Sequence, residues 1–327
     1  MADFLYGLKR IRSKHNNNKF LYYFKNFVRL ITPKYFFQSN LERKLKQLGT
    51  LDEGDYIKKR VSYYNKLENI SPLNSESKTL KDFTLPKKLR TYFFDSYEYT
   101  RYFNQTLKVD FTFGDITYVP QVPSILKSRP IAGNNENSVL LNLDKVRHFT
   151  FTNDRKNFLK KKDMLVGRMF AHQESRVRFL EMYFNHPMCN VGQINKTGGN
   201  PALIRNKMTI DEHLDYKFIL SLEGHDVASN LKWIMSSQSL AVMPNPKYET
   251  WFMEGTLIPN YHYVEIKADF SDLEDRMLYY IEYPNEALAI VKNANAYIKQ
   301  FKNKEREDLI SLLVLDKYFK KTGQKNI

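Results

Sequence analysis

The order of secondary structure is clearest in residues 217–243, whose sequence is KFILSLEGHDVASNLKWIMSSQSLAVM. The apolar run of residues 217–222 predicts a buried strand, residues 228–236 predict a helix, and residues 239–243 predict a second strand. Gly224 lies between the first strand and the helix, where it permits a tight turn. The stretch therefore predicts a strand–turn–helix–strand unit of an α/β fold.

The same alternation continues on both sides of this unit. Further strands are predicted at residues 109–113, 163–170 and 261–266. Helices are predicted at residues 91–107, 175–184, 271–282 and 285–302. Short apolar strands that alternate with helices favour a mostly parallel sheet, which binds ligands at the carboxyl ends of its strands.

The length of 327 residues favours two domains with a cleft. We expect a basic helical region at residues 1–80, an α/β domain at 81–160, a second α/β domain at 161–305, and a C-terminal helix or tail at 306–327. The basic residues 317–327 are expected to fray. Three prolines, Pro120, Pro123 and Pro130, are expected to exclude regular structure after Asp115, which places Asp115 at the mouth of a loop.

Positive charge is concentrated at the start of the chain. Of the formal net charge of +15, the first 50 residues contribute +9, from eleven lysines or arginines against Asp3 and Glu42. Aromatic side chains alternate with these cations, which is typical of a segment on an anionic lipid surface, and equally of a solvated helical face with core aromatics. A phosphate backbone is a third interpretation, but no nucleic-acid-binding motif supports it. Lipid binding predicts that loss of charge at Lys9, Arg10, Arg12 and Lys14 weakens sedimentation with liposomes.

Cysteine content and hydropathy suggest the location. The single cysteine, Cys189, cannot form an internal disulfide, and no run approaches the roughly 20 apolar residues of a membrane-spanning helix. We therefore expect a cytoplasmic protein that does not span a membrane. Phosphate-binding, dinucleotide and zinc-protease motifs are absent, as is a D-x-D triplet, so we expect no bound metal.

The turn at Gly224 is a candidate anion site, because a helix N-terminus offers free N–H donors. Ser229 and Asn230 would add side-chain donors and Lys232 a charge, although such a turn is also common without a ligand. Arg168 and Arg176 are a second candidate, since arginine forms forked hydrogen bonds to phosphate, but both are also plausible surface charges. His172 and His225 could each act as a base, yet a loop histidine is more often only a hydrogen-bonding residue.

Blocks of sequence in a fixed order carry a resemblance over about residues 90–300. They are Phe113-Gly114-Asp115, Pro120-Gln121-Val122-Pro123, residues 127–131, residues 216–224, Leu231-Lys232-Trp233, residues 239–242, residues 248–252, residues 260–264 and residues 269–273. Together they resemble the CAP10-like lipopolysaccharide-modifying proteins of glycosyltransferase family 90, especially the bacterial members that extend lipopolysaccharide core.

The resemblance implies a GT-B-like fold of two Rossmann-like domains facing a cleft, with residues 81–160 on the acceptor side and residues 161–305 binding the nucleotide sugar. It implies a UDP-hexose or UDP-pentose donor and inversion at the anomeric carbon without a metal or other cofactor. We expect transfer of a hexose from UDP-glucose or UDP-galactose to lipopolysaccharide core, by a protein that is peripheral on the inner face of the cytoplasmic membrane. Asp115 matches the region of the family's catalytic aspartate and is the expected base, with Asp110 as the fallback. Capsule- or protein-directed transfer and a non-catalytic anion-binding module are the alternatives.

The remaining site residues follow from the same resemblance. Glu249 is the candidate for the ribose hydroxyls, or else a helix-surface carboxylate. Lys127, Arg129 and His172 are acceptor-side candidates. Asn230 replaces an arginine of eukaryotic members. Binding of the diphosphate is therefore expected to depend more on Arg168, Arg176, Lys232 and the helix N-terminus.

Overall fold

The computed structural model describes residues 6–7, 17–50 and 52–325, and these form two compact units. The first unit consists of His148–Pro246 and Thr256–Gln300, together with the described residues up to Asn17. The second unit consists of Asn18–Arg147, Lys247–Gly255 and the described residues from Phe301 on. The chain therefore enters each unit more than once.

The helices are distributed over both units. Their bounds are α1 Lys19–Ile31, α2 Tyr35–Gln38, α3 Leu41–Lys46, α4 Gly54–Tyr64, α5 Arg90–Thr100, α6 Lys145–His148, α7 Glu174–Tyr183, α8 Ile210–His213, α9 Leu231–Met235, α10 Leu273–Glu282, α11 Pro284–Lys299 and α12 Lys304–Lys321. Among the described residues, no helix combines the length and the apolar composition needed to cross a bilayer.

The strands are short. Their bounds are β1 Lys78–Thr79, β2 Lys108–Val109, β3 Phe111–Thr112, β4 Ser124–Leu126, β5 Ser128–Pro130, β6 Ser138–Leu140, β7 Lys162–Met169, β8 Cys189–Gln193, β9 Tyr216–Leu220, β10 Leu240–Met243, β11 Tyr248–Thr250 and β12 Val264–Glu265.

A five-stranded sheet in the order β12-β10-β9-β7-β8 forms the centre of the first unit, and all its neighbouring strands are parallel. Every residue of β9 is buried, including Lys217, as expected of a central strand that is covered on both faces. Phe179 of α7 and Met277 of α10 belong to the same core cluster as Leu165 of β7 and Val242 of β10. The predicted α/β architecture with a parallel sheet is confirmed.

The second unit contains a three-stranded parallel sheet in the order β3-β4-β6 and two antiparallel pairs, β1-β2 and β5-β11. Helix α12 packs against α4 and α5. Arg60 of α4 and Glu307 of α12 form a buried ion pair, and the Trp251 indole N–H donates to the same carboxylate at 2.6 Å. This polar network lies inside the helical part of the unit.

Two expectations about local structure were wrong. The proline-containing segment after Asp115 includes strands β4 and β5, because Pro123 precedes β4 and Pro130 ends β5, where a missing N–H removes no essential ladder bond. Residues 317–321 do not fray: they form the last turn of α12, and the side chains of Tyr318 and Phe319 are buried.

Several elements are shorter than predicted. Helix α5 ends at Thr100 instead of residue 107, and the strand predicted at residues 109–113 is divided into β2 and β3. Helix α9 begins only at Leu231, because Ala228–Asn230 form a turn, and strand β12 contains only two residues. Residues before β12 form a turn in which Asn260 has a left-handed φ of 56°. Propensity predicted these elements, but local turns set where they begin.

Candidate functional site

Three ionisable side chains follow three parallel strands of the second unit. Asp115 follows β3, Lys127 follows β4, and Asp144 follows β6. Gly114, with φ of 119°, makes the turn before Asp115 possible. Because β3, β4 and β6 are parallel neighbours, their carboxyl ends share one edge, and this is the edge at which α/β sheets bind ligands.

Asp115 and Lys127 form an ion pair at this edge. The Lys127 side chain is 1% exposed, whereas the Asp115 side chain is 28% exposed. Residue 116 is tied to β5 by the Ser128 hydroxyl, which accepts from the Ile116 N–H at 3.3 Å and lies 3.2 Å from its carbonyl. The loop therefore holds one partly accessible carboxylate beside a buried ammonium, and a carboxylate of this kind can accept a proton from a bound hydroxyl.

Tyr92 of α5 adds a hydroxyl to this pair. Its side chain hydrogen-bonds to Lys127, and burial raises the pKa of Tyr92 to about 12. The phenol therefore stays neutral near neutral pH, where its oxygen accepts a hydrogen bond from the lysine ammonium without adding charge.

Asp144 is a member of the cluster that the sequence reasoning missed. Burial raises its pKa, and the charge of Asp115 acts in the same direction, while Lys127 opposes both. Its φ of 55° is a left-handed conformation that aspartate adopts more readily than most residues. Its position after a short apolar strand was the signal that could have identified it.

The fallback base, Asp110, lies between β2 and β3. Its carboxylate accepts a hydrogen bond from the Ser77 hydroxyl at 2.6 Å, and its backbone N–H donates to the Tyr318 hydroxyl at 3.1 Å. These contacts join Asp110 to its neighbouring segments, and no cation is paired with it among the ion pairs of the described residues.

Arg129 and Glu249 are opposite each other in the β5-β11 ladder. Arg129 Nε donates to Glu249 at 2.8 Å, and the Arg129 guanidinium also donates to the carbonyls of Tyr63, Tyr64 and Ser138. The Tyr63 hydroxyl donates to the second Glu249 oxygen. Both charges are buried and internally bonded in this structure, so their expected roles toward acceptor and ribose remain predictions.

In the first unit, Arg176 joins two loops at the carboxyl edge of the sheet. Its guanidinium donates to the carbonyls of Phe170, after β7, and of Leu222 and Glu223, after β9. A Cβ on Gly224 would lie 3.0 Å from Arg176 Nη2, so the close approach requires glycine or movement of the arginine. Arg176 therefore fixes the loop that precedes α9.

The Arg168 guanidinium also donates hydrogen bonds to backbone carbonyls. It donates to the carbonyls of Gly167, Asn190 and Asn206, and burial lowers its pKa to about 10, with Arg205 contributing. The structure thus shows Arg168 holding β7, β8 and the loop at residue 206 together. A role toward the diphosphate remains a prediction.

The predicted anion-binding turn has a defined hydrogen-bond pattern. Asn230 donates to the Leu220 carbonyl at 2.8 Å and accepts from the Ser221 hydroxyl at 3.1 Å, which ties the start of α9 to the end of β9. Ser229 is half-buried, and Lys232 is fully buried. Helix α9 has only five residues, so its dipole is weaker than the predicted nine-residue helix would provide.

The two loop histidines differ in their surroundings. His172 is exposed and stacks on Phe170, with ring centroids 6.3 Å apart, and its Nδ1 would lie 2.8 Å from a Cβ on Gly198. His225 is exposed in the loop after β9.

A cavity of about 210 Å³ in the first unit brings Arg168 and Asn230 together. Its lining residues are Tyr6, Arg168, Ile194, Lys207, Met208, Thr209, Ile210, His213, Asn230 and Trp233. Burial lowers the pKa of His213 to about 4, and its Nδ1–H donates to the Thr209 carbonyl at 2.7 Å. Lys207, His213 and Trp233 were missed from the sequence, because only the fold brings residues 207–213 beside α9.

Two comparisons with known proteins bear on the function of the chain. Residues 171–321 match the family described as glycosyl transferase family 90. Over 263 residues, which are 80% of this chain and 82% of the relative, the sequence is 46% identical to the O-glucosyltransferase LpsA of Dichelobacter nodosus. The protein is a sugar-transferring enzyme of the α/β class. It belongs to glycosyltransferase family 90.

Proposed function

We propose that this enzyme transfers glucose from UDP-glucose to a hydroxyl of lipopolysaccharide core, with inversion and without a bound metal ion. The observation that carries the proposal is the 46% identity, over 80% of the chain, to a protein named an O-glucosyltransferase. That name favours glucose over galactose as the sugar. The sequence blocks around Asp115 that resemble lipopolysaccharide-extending members support the acceptor.

The proposed reaction uses Asp115 as general base. Its carboxylate removes the proton from the acceptor hydroxyl while that oxygen attacks the anomeric carbon, and the bond from this carbon to the diphosphate breaks to release UDP. Two features support the assignment: the carboxylate is partly exposed, and Lys127 holds its charge at the carboxyl edge of a parallel sheet.

We further propose that the two units correspond to the two Rossmann-like domains of a GT-B fold, the first taking the donor and the second activating the acceptor. In the first unit, the loop from Gly224 to Ser229 would contact the diphosphate. Arg176 would act there as a positioning residue, because its donors engage the carbonyls on both sides of the loop entrance. The developing charge on UDP would be stabilised by donors held in advance of the reaction.

The test is a panel of UDP-glucose, UDP-galactose and UDP-xylose, each with lipopolysaccharide core, capsular polysaccharide or protein as acceptor, in buffer with EDTA. We expect UDP release only with UDP-glucose and lipopolysaccharide core. Release with another sugar or another acceptor class would replace the corresponding part of the proposal, and loss of activity in EDTA would overturn the metal-free mechanism.

Asp115→Asn tests the base. The variant keeps the size of the side chain but cannot take the proton, so we expect kcat to fall by about 10²–10⁴-fold while UDP still raises the melting temperature. Asp110→Asn is the matched control and should keep its activity. Normal turnover by Asp115→Asn, or a larger loss in Asp110→Asn, would show that the base has been assigned to the wrong aspartate.

A further inference from the structure

Helix α1 carries an exposed apolar face. Phe20, Phe24, Phe27 and Ile31, spaced four, three and four residues apart, share one side of the helix. Phe20 is 80%, Phe24 58% and Ile31 81% exposed, which is unusual for side chains of this size. The rings of Phe20 and Phe24 stack on each other, with centroids 6.4 Å apart.

The opposite side of α1 packs against α5 of the same unit. The Tyr22 hydroxyl donates to Asp95 at 2.9 Å, and Arg29 forms an ion pair with Glu98. Asn26 is buried, and its side chain donates to the Tyr22 carbonyl at 2.9 Å. The contacts of Tyr22 and Arg29 with α5 determine which side of the helix faces outward, so the exposed face does not result from a freely rotating helix.

Helix α2, which follows α1, also exposes large apolar side chains. In α2, Tyr35 is 73% and Phe36 is 60% exposed, while the following residues face inward. Phe37 packs edge-on against Tyr102, with centroids 5.2 Å apart, and Gln38 donates to the Phe103 carbonyl. Two consecutive helices thus leave large apolar side chains in solvent while their other residues anchor them.

The charge around these side chains is positive. Residues 17–41 contain lysines and an arginine but no aspartate or glutamate. Lys19 and Lys25 are exposed on α1, next to the apolar face. Arg43 and Lys46 continue the exposed positive charge on α3, where Glu42 is the acidic residue. Apolar bulk flanked by exposed lysines is the composition of a helix that lies in a lipid headgroup layer.

We propose that the outward side of α1 and α2 docks on an anionic lipid bilayer, with Phe20, Phe24, Ile31, Tyr35 and Phe36 entering the headgroup and acyl boundary. Lys19 and Lys25 contact the lipid phosphates. Charge favours this occupant over a second copy of the chain, because two copies joined through this surface would bring like charges together. The surface is separate from the residues assigned to sugar transfer, so lipid docking and transfer can fail independently.

Tryptophan placed in the surface tests insertion directly. The native Trp233 and Trp251 are buried. Phe24→Trp would therefore add a reporter, and Leu159→Trp in the first unit, where Leu159 is 54% exposed, is the matched control. With vesicles of phosphatidylcholine containing about one third phosphatidylglycerol and brominated acyl chains, we expect quenching of the Phe24→Trp reporter only. Equal quenching of the two variants, or none in either, would overturn the proposal.

Flotation with the same vesicles separates apolar from charge effects. Phe24→Ser with Ile31→Ser should lower vesicle binding by about tenfold or more, while Leu159→Ser with Ile258→Ser should not. Lys19→Glu with Lys25→Glu should abolish the preference for anionic over pure phosphatidylcholine vesicles, whereas Lys292→Glu with Lys299→Glu, an exposed pair on α11, should keep it.

The basic residues for which the sequence predicts weaker liposome sedimentation, Lys9, Arg10, Arg12 and Lys14, lie outside the described residues. The variants at Lys19 and Lys25 take their place. UDP release with a detergent-solubilised acceptor should be unchanged in all the surface variants, which distinguishes failed docking from failed catalysis. A dimer in size-exclusion chromatography that dissociates in Phe24→Ser with Ile31→Ser, without vesicle binding by the unaltered protein, would assign the surface to a second copy instead.

Discussion

At the scale of single residues, Lys127 shows how the candidate base is supported. An ammonium group is costly to bury, and the carboxylate of Asp115 compensates for this cost. The same pairing favours the charged form of Asp115, because a nearby cation stabilises a carboxylate. In the proposed reaction, the buried lysine would therefore act through the aspartate and need not contact a substrate itself.

Lys127→Met should shift the pH dependence of transfer. Methionine fills a similar volume without the charge, so the pKa of Asp115 rises and the acid limb of the kcat/KM profile moves to higher pH. The measurement is kcat/KM for UDP-glucose between pH 5 and pH 9, and Asp110→Asn is the control whose acid limb should not move. An acid limb that stays in place or moves to lower pH would contradict the electrostatic role of Lys127.

His213 predicts a pH dependence of stability in the first unit. Burial lowers its pKa from 6.5 to about 4, so the unfolded chain takes up the proton first as the pH falls. This contribution to stability is present above pH 6.5 and is lost progressively between pH 6.5 and pH 4, by about 2 kcal/mol at pH 5. His213→Gln removes this titration, so the melting temperature of the wild type should fall more between pH 7.5 and pH 5 than that of the variant. Parallel curves for the two proteins would contradict the prediction.

Sequence reasoning chose Asp115 by its place after a strand, by the neighbouring proline block and by its match to the region of the family's catalytic aspartate. The structure adds the partner Lys127, and the role of Asp115 as base stays a prediction. Asp144 and His213 were missed, because the properties of both depend on burial by residues distant in the chain. Arg168 and Arg176 were expected on either side of the loop between a strand and a helix. Their hydrogen bonds to backbone carbonyls had no sequence signal.

At the scale of elements, α12 is held by the buried network of Arg60, Glu307 and Trp251. Arg60 Nη2 lies 2.9 Å from Glu307, and its guanidinium lies 5.0 Å from the Phe301 ring. The charged pair and its aromatic neighbours join α4, the segment after β11, and α12 within the second unit.

Glu307→Gln should destabilise the second unit strongly. It leaves the Arg60 guanidinium buried without its counter-charge, which costs roughly 3–5 kcal/mol when one partner of a buried pair is removed. Glu305→Gln, two positions away on the exposed side of α12, is the matched control and should change stability by less than about 0.5 kcal/mol. Urea unfolding of both variants provides the measurement, and similar midpoints would show that the ion pair contributes little.

Elements were predicted best where the apolar pattern is continuous. Strands β7, β9 and β10 and helices α7, α10 and α11 lie close to their predicted positions, because their buried faces are encoded locally. Strands β4 and β5 were missed because prolines flank them. The last turn of α12 was missed because its many lysines suggested a solvated end, although Tyr318 and Phe319 are buried. In both cases partners elsewhere in the chain determine the structure, which a local pattern cannot show.

At the scale of the whole molecule, the chain passes repeatedly between its two units. It leaves the second unit after Arg147, returns for Lys247–Gly255, and returns finally at Phe301. The length of 327 residues suggested two domains, and the described residues divide into two compact units. Composition does not indicate that a segment as short as Lys247–Gly255 belongs to the second unit. Its membership depends on the pairing of β11 with β5.

This path has a consequence for synthesis on the ribosome. The strands of the first unit are all made before Phe301, whereas α4 and α5 are made early and are covered only when α12 follows. Ile57, Tyr64 and the other buried residues of these helices therefore spend most of translation without their final partner, as transient apolar surface that chaperones bind and that promotes aggregation. Helices α4 and α5 thus precede every strand of the first unit in the chain, and the helix that covers them follows all of those strands.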